Sequence, residues 1–321
     1  MPQELRLSLG DGLVPFSVSV RNLTGAEREL LVDLVSPYWL ATAEKDRRDS
    51  VAIVLVRRRS VPGRLRGNSP EPSFEYEREV VTVTVGEDVK ETVFAVIGVA
   101  RAIVKVFLVE SASGRNCHAG AVDHRGSGML FTGARGSGKT TVLRACAAAG
   151  FGLVANDQCV LLPGVEPVAV GFPALVAIRP EAERARLRLP LRPLVIGVDK
   201  QDGIARRRYS LPDLAKANGT SCVGRTQVRL LVSYAQTPIA GVLEYERVDS
   251  AGWLDAASYD LLDAYGPRLV DLASGVLRAY RVDVRGSGES LVLRHVPHYR
   301  VTCSEDMLDR LPGTLAELVG A

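Results

Sequence analysis

Eight consecutive residues, Gly133-Ala134-Arg135-Gly136-Ser137-Gly138-Lys139-Thr140, carry the pattern G-x-x-x-x-G-K-[S/T]. Glycines at this spacing let successive backbone N–H groups turn inward around a polyphosphate. The lysine reaches the β- and γ-phosphates, and the hydroxyl after it is placed to ligate Mg²⁺. Gly133 through Thr141 is therefore the expected binding segment for ATP, with Lys139 on the phosphates and Thr140 on the metal. Arg135, at a variable place in the pattern, either adds positive charge near the γ-phosphate or faces solvent. Arg-Gly-Ser-Gly also occurs at Arg125 to Gly128 and at Arg285 to Gly288, but neither copy continues into Lys-Thr. Both are bounded by strand-like runs and read as turns.

A phosphate loop needs a strand before it and a helix after it, and the flanking residues supply both. Gly128 to Thr132 is apolar and strand-like, and Lys139 to Ala149 is rich in alanine and stopped by Gly150. Phosphoryl transfer also needs a second anchor for Mg²⁺, an acid at a strand end, and a base for a hydroxyl acceptor. Two acids follow strand-like runs: Asp157 after Gly152 to Ala155, and Asp199 after Leu194 to Val198. Asp157 comes on the first strand beyond the loop helix, where a short connection returns it to the phosphates. Asp199 heads a segment with ordinary turn chemistry. Asp123 precedes a turn and reads as structural. His295 and His298 are spaced i, i+3 with Pro297 between them and no cysteine or carboxylate nearby, so no metal site is expected there.

Further strands are expected at Cys159 to Leu162, Val168 to Val170, Leu175 to Ile178, Val228 to Val232 and Gly241 to Tyr245, with helices at Ala256 to Leu262, Pro267 to Ala273 and Ser304 to Leu311. The first hundred residues read as an α+β lobe with strands at Leu5 to Leu9, Val14 to Val20, Val51 to Val56 and Val80 to Val85. Thr24-Gly25-Ala26-Glu27 has capping-box spacing ahead of Leu30, Leu31, Leu34 and Val35, and Pro37 ends that helix. Val61 to Pro72, with three prolines and two glycines, reads as a mobile loop. The apolar stretch Thr92 to Val109 carries Arg101 and Lys105, is short for a bilayer span, and reads as a buried helix.

The 321 residues suffice for a catalytic domain with a smaller lobe. A net charge of +3, without aromatic residues among the arginine clusters, argues against nucleic acid as a partner. Five scattered cysteines, without a C-x-x-C pair, fit a reducing compartment. No basic segment followed by an apolar one opens the chain, so a cytoplasmic protein with no membrane partner is expected.

The stretch from His118-Ala119-Gly120-Ala121-Val122-Asp123 through Lys139-Thr140 to Ala155-Asn156-Asp157 resembles the catalytic domain of HPr kinase/phosphorylase, most of all the HPr-kinase-like proteins found with bacterial natural-product pathways. In that family a histidine precedes the strand by this interval, the phosphate loop follows, and an Asp-Asp pair ends the next strand. The resemblance implies an α/β fold with a P-loop kinase core of the HPr kinase/phosphoenolpyruvate carboxykinase type, built on a mixed sheet over residues 113–321, beside an N-terminal α+β lobe over 1–112. It implies a homo-oligomer. It gives Asp157 the part of metal-linked acid or catalytic base, and His118 a place near the phosphates, polarising them or holding the acid. The first acid of the pair is Asn156 here. Arg208, in a basic segment similar to one that follows the family's core, is a further candidate for the phosphates. The glycine-rich signature of authentic HPr kinases is absent and the N-terminal lobe differs, which argues against HPr as the acceptor. The expected activity is thus an ATP- and Mg²⁺-dependent kinase acting on a hydroxyl of a small molecule or peptide, in a specialised biosynthetic pathway. The alternatives are a protein-serine kinase acting on HPr or another carrier, and a non-catalytic nucleotide-binding regulator.

Overall fold

The computed structural model describes residues 4–9, 13–36, 38–42, 50–59, 72–77, 80–134, 136–178, 193–198, 205–250, 252–279, 291 and 293–320. Arg135, Asp199, the Arg285 to Gly288 turn and all but the end of the Val61 to Pro72 loop lie outside them. The chain is a mixed α/β protein in two compact units, one formed by residues 1–112 with 260–287, the other by 113–259 with 288–321. The second boundary corrects the expectation that residues 113–321 hold together, because 260–287 belongs to the first unit.

The first unit begins with β1 (Leu5–Leu9), β2 (Phe16–Arg21), α1 (Gly25–Val35), β3 (Trp39–Thr42), β4 (Ser50–Arg58), β5 (Ser73–Glu77), β6 (Val80–Val85) and α2 (Val89–Glu110). Its six strands order as β3-β1-β2-β4-β6-β5, with β2, β4 and β6 parallel and the outer pairs antiparallel. Thr24 and Glu27 close the expected capping box: the Glu27 N–H donates to Thr24 Oγ1 at 3.3 Å, and the Thr24 N–H to Glu27 Oε2 at 2.8 Å. On β6, Val81, Val83 and Val85 are buried, as alternation requires. Helix α2 is long and apolar enough to cross a membrane, and 78% of that apolar window is buried within the protein.

The second unit runs β7 (Arg115–Cys117), β8 (Gly120–His124), β9 (Ser127–Thr132), α3 (Lys139–Ala148), β10 (Gly152–Ala155), β11 (Cys159–Leu162), β12 (Val168–Val170), β13 (Leu175–Ile178), β14 (Val195–Val198), β15 (Ala205–Ser210), α4 (Leu211–Ala217), β16 (Arg225–Thr237), β17 (Leu243–Val248) and α5 (Trp253–Ala257). The chain then gives α6 (Leu261–Tyr265) and α7 (Pro267–Ala279) to the first unit, where Tyr265 meets Arg101 and Lys105 of α2. Arg101 Nε donates to Tyr265 Oη at 2.9 Å, and the buried Lys105 ammonium lies 5.6 Å from the centre of the Tyr265 ring. It returns as β18 (His298–Ser304) and α8 (Leu311–Gly320).

The main sheet follows β10-β8-β9-β16-β12-β11-β7, with β18 on the far half of β16 and β17 on β18. Strand β16 is parallel to β9 and β18, and the other neighbours are antiparallel, so the sheet is mixed. Residues 118 and 119 join β7 to β8, and residues 156–158 join β10 to β11. The first and last pairs of the path are therefore made by the same two bent stretches of chain. One core cluster holds Leu130, Leu231, Val154, Cys159, Trp253 and Ala257. A smaller sheet, β13-β15-β14, stands apart.

The helix expected over Ala256 to Leu262 is two helices, because Ser258 leaves the helix to form a bridge with Cys117 and Asp260 caps α6. The one expected over Ser304 to Leu311 is displaced: Ser304 still pairs with Thr237, a single 3₁₀ turn follows, and the helix begins at Leu311. Pro312 is tolerated there because the first turn of a helix has N–H groups without intrahelical acceptors.

Candidate phosphate-binding site

Strand β9 lies between β8 and β16, and its three neighbours before the loop, Leu130, Phe131 and Thr132, are buried. The loop that leaves it is shaped by its glycines. Gly136 and Gly138 have φ of +81° and +97°, the left-handed region that side chains disfavour. Gly133 is required for a different reason: a Cβ there would lie 2.4 Å from the Tyr234 carbonyl oxygen and 2.6 Å from Ser137 Oγ. The Gln236 N–H donates to the Ser137 carbonyl at 3.1 Å, which ties the loop to the end of β16.

Helix α3 starts directly from Gly138 with no side-chain cap and no acid in its first turn. The N–H groups of its first turn, Lys139, Thr140 and Thr141 among them, are thus left at the positive end of the helix dipole. Ser137 Oγ is buried with no hydrogen-bond partner among the described residues. An uncapped helix start, glycines where a side chain cannot fit and an unsatisfied buried hydroxyl together suit an oxyanion such as a phosphate.

Lys139 is buried, and its Nζ donates to the carbonyls of Gly133 at 2.8 Å and Ala134 at 3.2 Å, spanning the loop from beneath. Burial lowers its pKa, and the Asp157 carboxylate opposes that shift. On the next residue of the helix, Thr140 Oγ1 donates to Asn156 Oδ1 at 3.4 Å. Asn156 Nδ2 in turn donates to Asp157 Oδ2 at 3.3 Å and to the Leu175 carbonyl at 3.4 Å. Asp157 has φ +64°, and the Gln158 N–H returns to the Asn156 carbonyl at 2.8 Å, so the carboxylate sits on a tight left-handed turn. Oxygens of Thr140, Asn156 and Asp157 form a set of hard donors of the kind Mg²⁺ takes.

His118 reaches the same place by the bend in the sheet. The ladder between the two bent stretches pairs Ala121 with Ala155 on one side and Cys117 with Cys159 on the other. Between these pairs the stretches 118–120 and 156–158 face each other without pairing, and these carry His118 and Asp157. The His118 N–H donates to the Ala257 carbonyl at 2.7 Å, and its ring lies 5.7 Å from that of Tyr259. Tyr259 is itself clamped to Asn116 by two hydrogen bonds of 2.9 Å. Burial lowers the His118 pKa, Lys139 lowers it further, and Asp157 partly offsets both, so the imidazole is biased toward its neutral form.

The structure thus brings Lys139, Thr140, Asp157 and His118 to one end of β9, with Asn156 between Thr140 and Asp157. Arg208 is exposed on β15, paired with Ala177 and Val195 in the smaller sheet. Asp123 accepts from Thr226 Oγ1 and from the Gly126 N–H, holding a hairpin whose turn residues Arg125 and Gly126 both have positive φ. His298 uses both ring nitrogens: Nδ1 faces the Asp249 carbonyl at 2.9 Å and so carries the proton, and Nε2 accepts from Ser233 Oγ at 2.9 Å. Tyr234, Gln236 and Tyr259 were not legible as site residues. Each reaches the loop or His118 through long-range pairing, and the sole local hint for the first two is an alternating strand whose last residues are polar.

No protein-family model and no curated protein sequence matches the chain. Among solved structures, the Hpr(Ser) kinase/phosphatase from Coxiella burnetii aligns at a TM-score of 0.30 and 14% identity, over 63% of this chain and 94% of that one. A likeness at that score is too slight to carry an argument about fold or activity.

Proposed function

We propose that the protein is an ATP-dependent phosphotransferase that passes the γ-phosphate to a hydroxyl of a small molecule or peptide, in a biosynthetic pathway. On this reading the second unit is a P-loop kinase core of the HPr kinase/phosphoenolpyruvate carboxykinase type. The observation that carries the proposal is the convergence of Asp157 and His118 on Lys139, with Asp157 linked through Asn156 to Thr140. A protein that only needed to grip a nucleotide would require the loop and Lys139 but no carboxylate and neutral imidazole facing them.

The loop amides and Lys139 hold the β- and γ-phosphates and spread their charge. Thr140 and Asp157 would hold Mg²⁺, which when bound neutralises the phosphate oxygens and aligns them for in-line attack. Asp157 takes the acceptor's proton as the oxygen attacks. The new O–P bond forms as the bond to the β-phosphate oxygen breaks, and ADP leaves. His118, kept neutral, does not pair with the Asp157 carboxylate as a cation would, which leaves that carboxylate to the acceptor's proton and to Mg²⁺. Because phosphoryl transfer asks little covalent work of the protein, positioning and electrostatics account for the rate.

Purified protein, labelled ATP and a panel of hydroxyl acceptors test this. Asp157→Ala should keep nucleotide binding and abolish transfer; transfer at the wild-type rate by that variant would refute the assignment. A second reading, a nucleotide-binding regulator without transfer, is favoured by Asn156 standing where a second carboxylate would add metal charge. It predicts that ATP binds and stays intact with every acceptor.

A further inference from the structure

Asn156 is buried, 5% exposed, and its side chain's hydrogen bonds to Thr140, Asp157 and Leu175 lead to the site or its wall. The amide cannot be turned over. Its NH₂ group faces two acceptors, the Asp157 carboxylate and the Leu175 carbonyl, so its oxygen must face Thr140. Held this way, the amide fixes the hydroxyl of Thr140 and the carboxylate of Asp157 relative to each other, although they lie on separate elements, α3 and the β10–β11 connection.

Charge is as telling as geometry. Among the described residues no group of three or more His, Cys, Asp or Glu side chains stands ready to hold a metal ion. Around Thr140 the donors are one carboxylate, one amide oxygen and one hydroxyl, and the Lys139 ammonium opposes the carboxylate. Mg²⁺ demands six oxygens in near-octahedral array and gives up its water reluctantly, so protein oxygens carrying a single negative charge beside a lysine cannot retain it alone. Triphosphate oxygens supply what is missing.

We infer that Asn156 is a positioning residue whose neutral amide aligns Thr140 with Asp157 and makes the site take a divalent cation only together with the nucleotide's phosphates. A carboxylate at this position would fail on both counts. It would face the Leu175 carbonyl and the Asp157 carboxylate without a proton to donate, and its charge would draw free cations into the nucleotide's place. The inference rests on the nucleotide reading above.

The test is direct metal binding, with Mn²⁺ as a spectroscopic stand-in, measured on the whole protein with and without ATP. Wild type should bind Mn²⁺ weakly without ATP and at least about tenfold more tightly with it, the range over which residues behind metal ligands act. Asn156→Asp should bind free Mn²⁺ about tenfold or more tightly than wild type and so lose most of the coupling to ATP. Asn156→Ala should keep ATP binding measured without metal while losing most of the Mn²⁺ enhancement. Unfolding midpoints of each variant separate this from a general loss of structure. Because Asn156→Asp is expected to gain metal affinity, a merely misfolded variant cannot mimic the result. If ATP fails to bind wild type under any condition, the nucleotide reading falls. If ATP binds but Mn²⁺ binds wild type equally well alone, or neither substitution moves the coupling, the role of Asn156 falls while the nucleotide reading stands.

Discussion

Replacing the loop glycines one at a time by alanine separates backbone strain from close packing, and the structure predicts the order of the costs. At Gly136, φ is +81° and none of the described residues beyond its chain neighbours lies within 4 Å of the added Cβ, so Gly136→Ala should lose only the left-handed penalty, about 1–2 kcal/mol. At Gly138, φ is +97° and the Cβ would also meet Gln236 Oε1 at 2.9 Å and Tyr234 Cε1 at 3.0 Å. The glutamine end can swing away but the buried tyrosine ring resists, so Gly138→Ala should cost about 2–3 kcal/mol. At Gly133 the backbone has no such strain, yet the Cβ would sit 2.4 Å from the carbonyl oxygen of Tyr234. That oxygen belongs to β16, which is hydrogen-bonded on both sides and cannot move alone, so Gly133→Ala should cost about 3 kcal/mol or more, the upper end for overpacking. Denaturant unfolding on a Trp39→Phe background reads this cleanly, because the remaining Trp253 is buried in the same unit as the loop. A Gly133→Ala protein as stable as Gly136→Ala would refute the close approach of β16 to the loop, and with it the placement of Gln236 and Tyr234.

Three further outcomes follow from other parts of the molecule. Thr24→Ala removes one half of the capping box of α1 and should lower the stability of the first unit by about 1 kcal/mol, read by denaturant unfolding. Burial holds the His298 pKa below its ordinary 6.5, with Arg300 adding to the shift and the Asp249 carbonyl opposing it. The unfolded chain therefore takes up that proton first, so stability is full above about pH 6.5 and falls as the pH drops through it. His298→Gln should flatten this slope in unfolding midpoints measured at several pH values, leaving the part due to His118. Gly136→Ala, exposed in the loop and with nothing among the described residues to collide with, should weaken ATP binding far more than its small stability loss would suggest, a comparison titration calorimetry can make.

The loop was readable because everything that makes it a loop is local: glycines at positive φ, a lysine and a threonine at fixed spacing, a strand before and a helix after. The capping box of α1 and the valine alternation of β6 were readable for the same reason. What escaped depends on partners far away in sequence. Strand β18 buries His298, Val301, Cys303 and Ser304, two of them polar and not in strict alternation, and follows a proline, so its pattern is weak; its place comes from pairing with β16 and β17. The break of a single expected helix at Ser258 comes from a bridge to Cys117, more than a hundred residues earlier. The placing of His118 opposite Asp157 depends on one sheet bending so that two stretches pair twice, a register that periodicity alone does not reveal. Asn156 illustrates the limit from the other side. As a sequence feature it was the loss of an acid, and in the structure it is the residue that links Thr140 to Asp157.

The most direct measurement is a calorimetric titration of ATP with Mg²⁺ into wild type and into Lys139→Ala. Lys139 contributes a charge-assisted contact worth about 1.5–3 kcal/mol, so its loss should weaken binding roughly 10- to 150-fold. The variant should still fold, since among the described residues Nζ hydrogen-bonds only loop carbonyls. The account predicts one ATP bound per chain in wild type and a loss of that size in the variant. Equal affinity in the two proteins, or no binding by wild type, would contradict it.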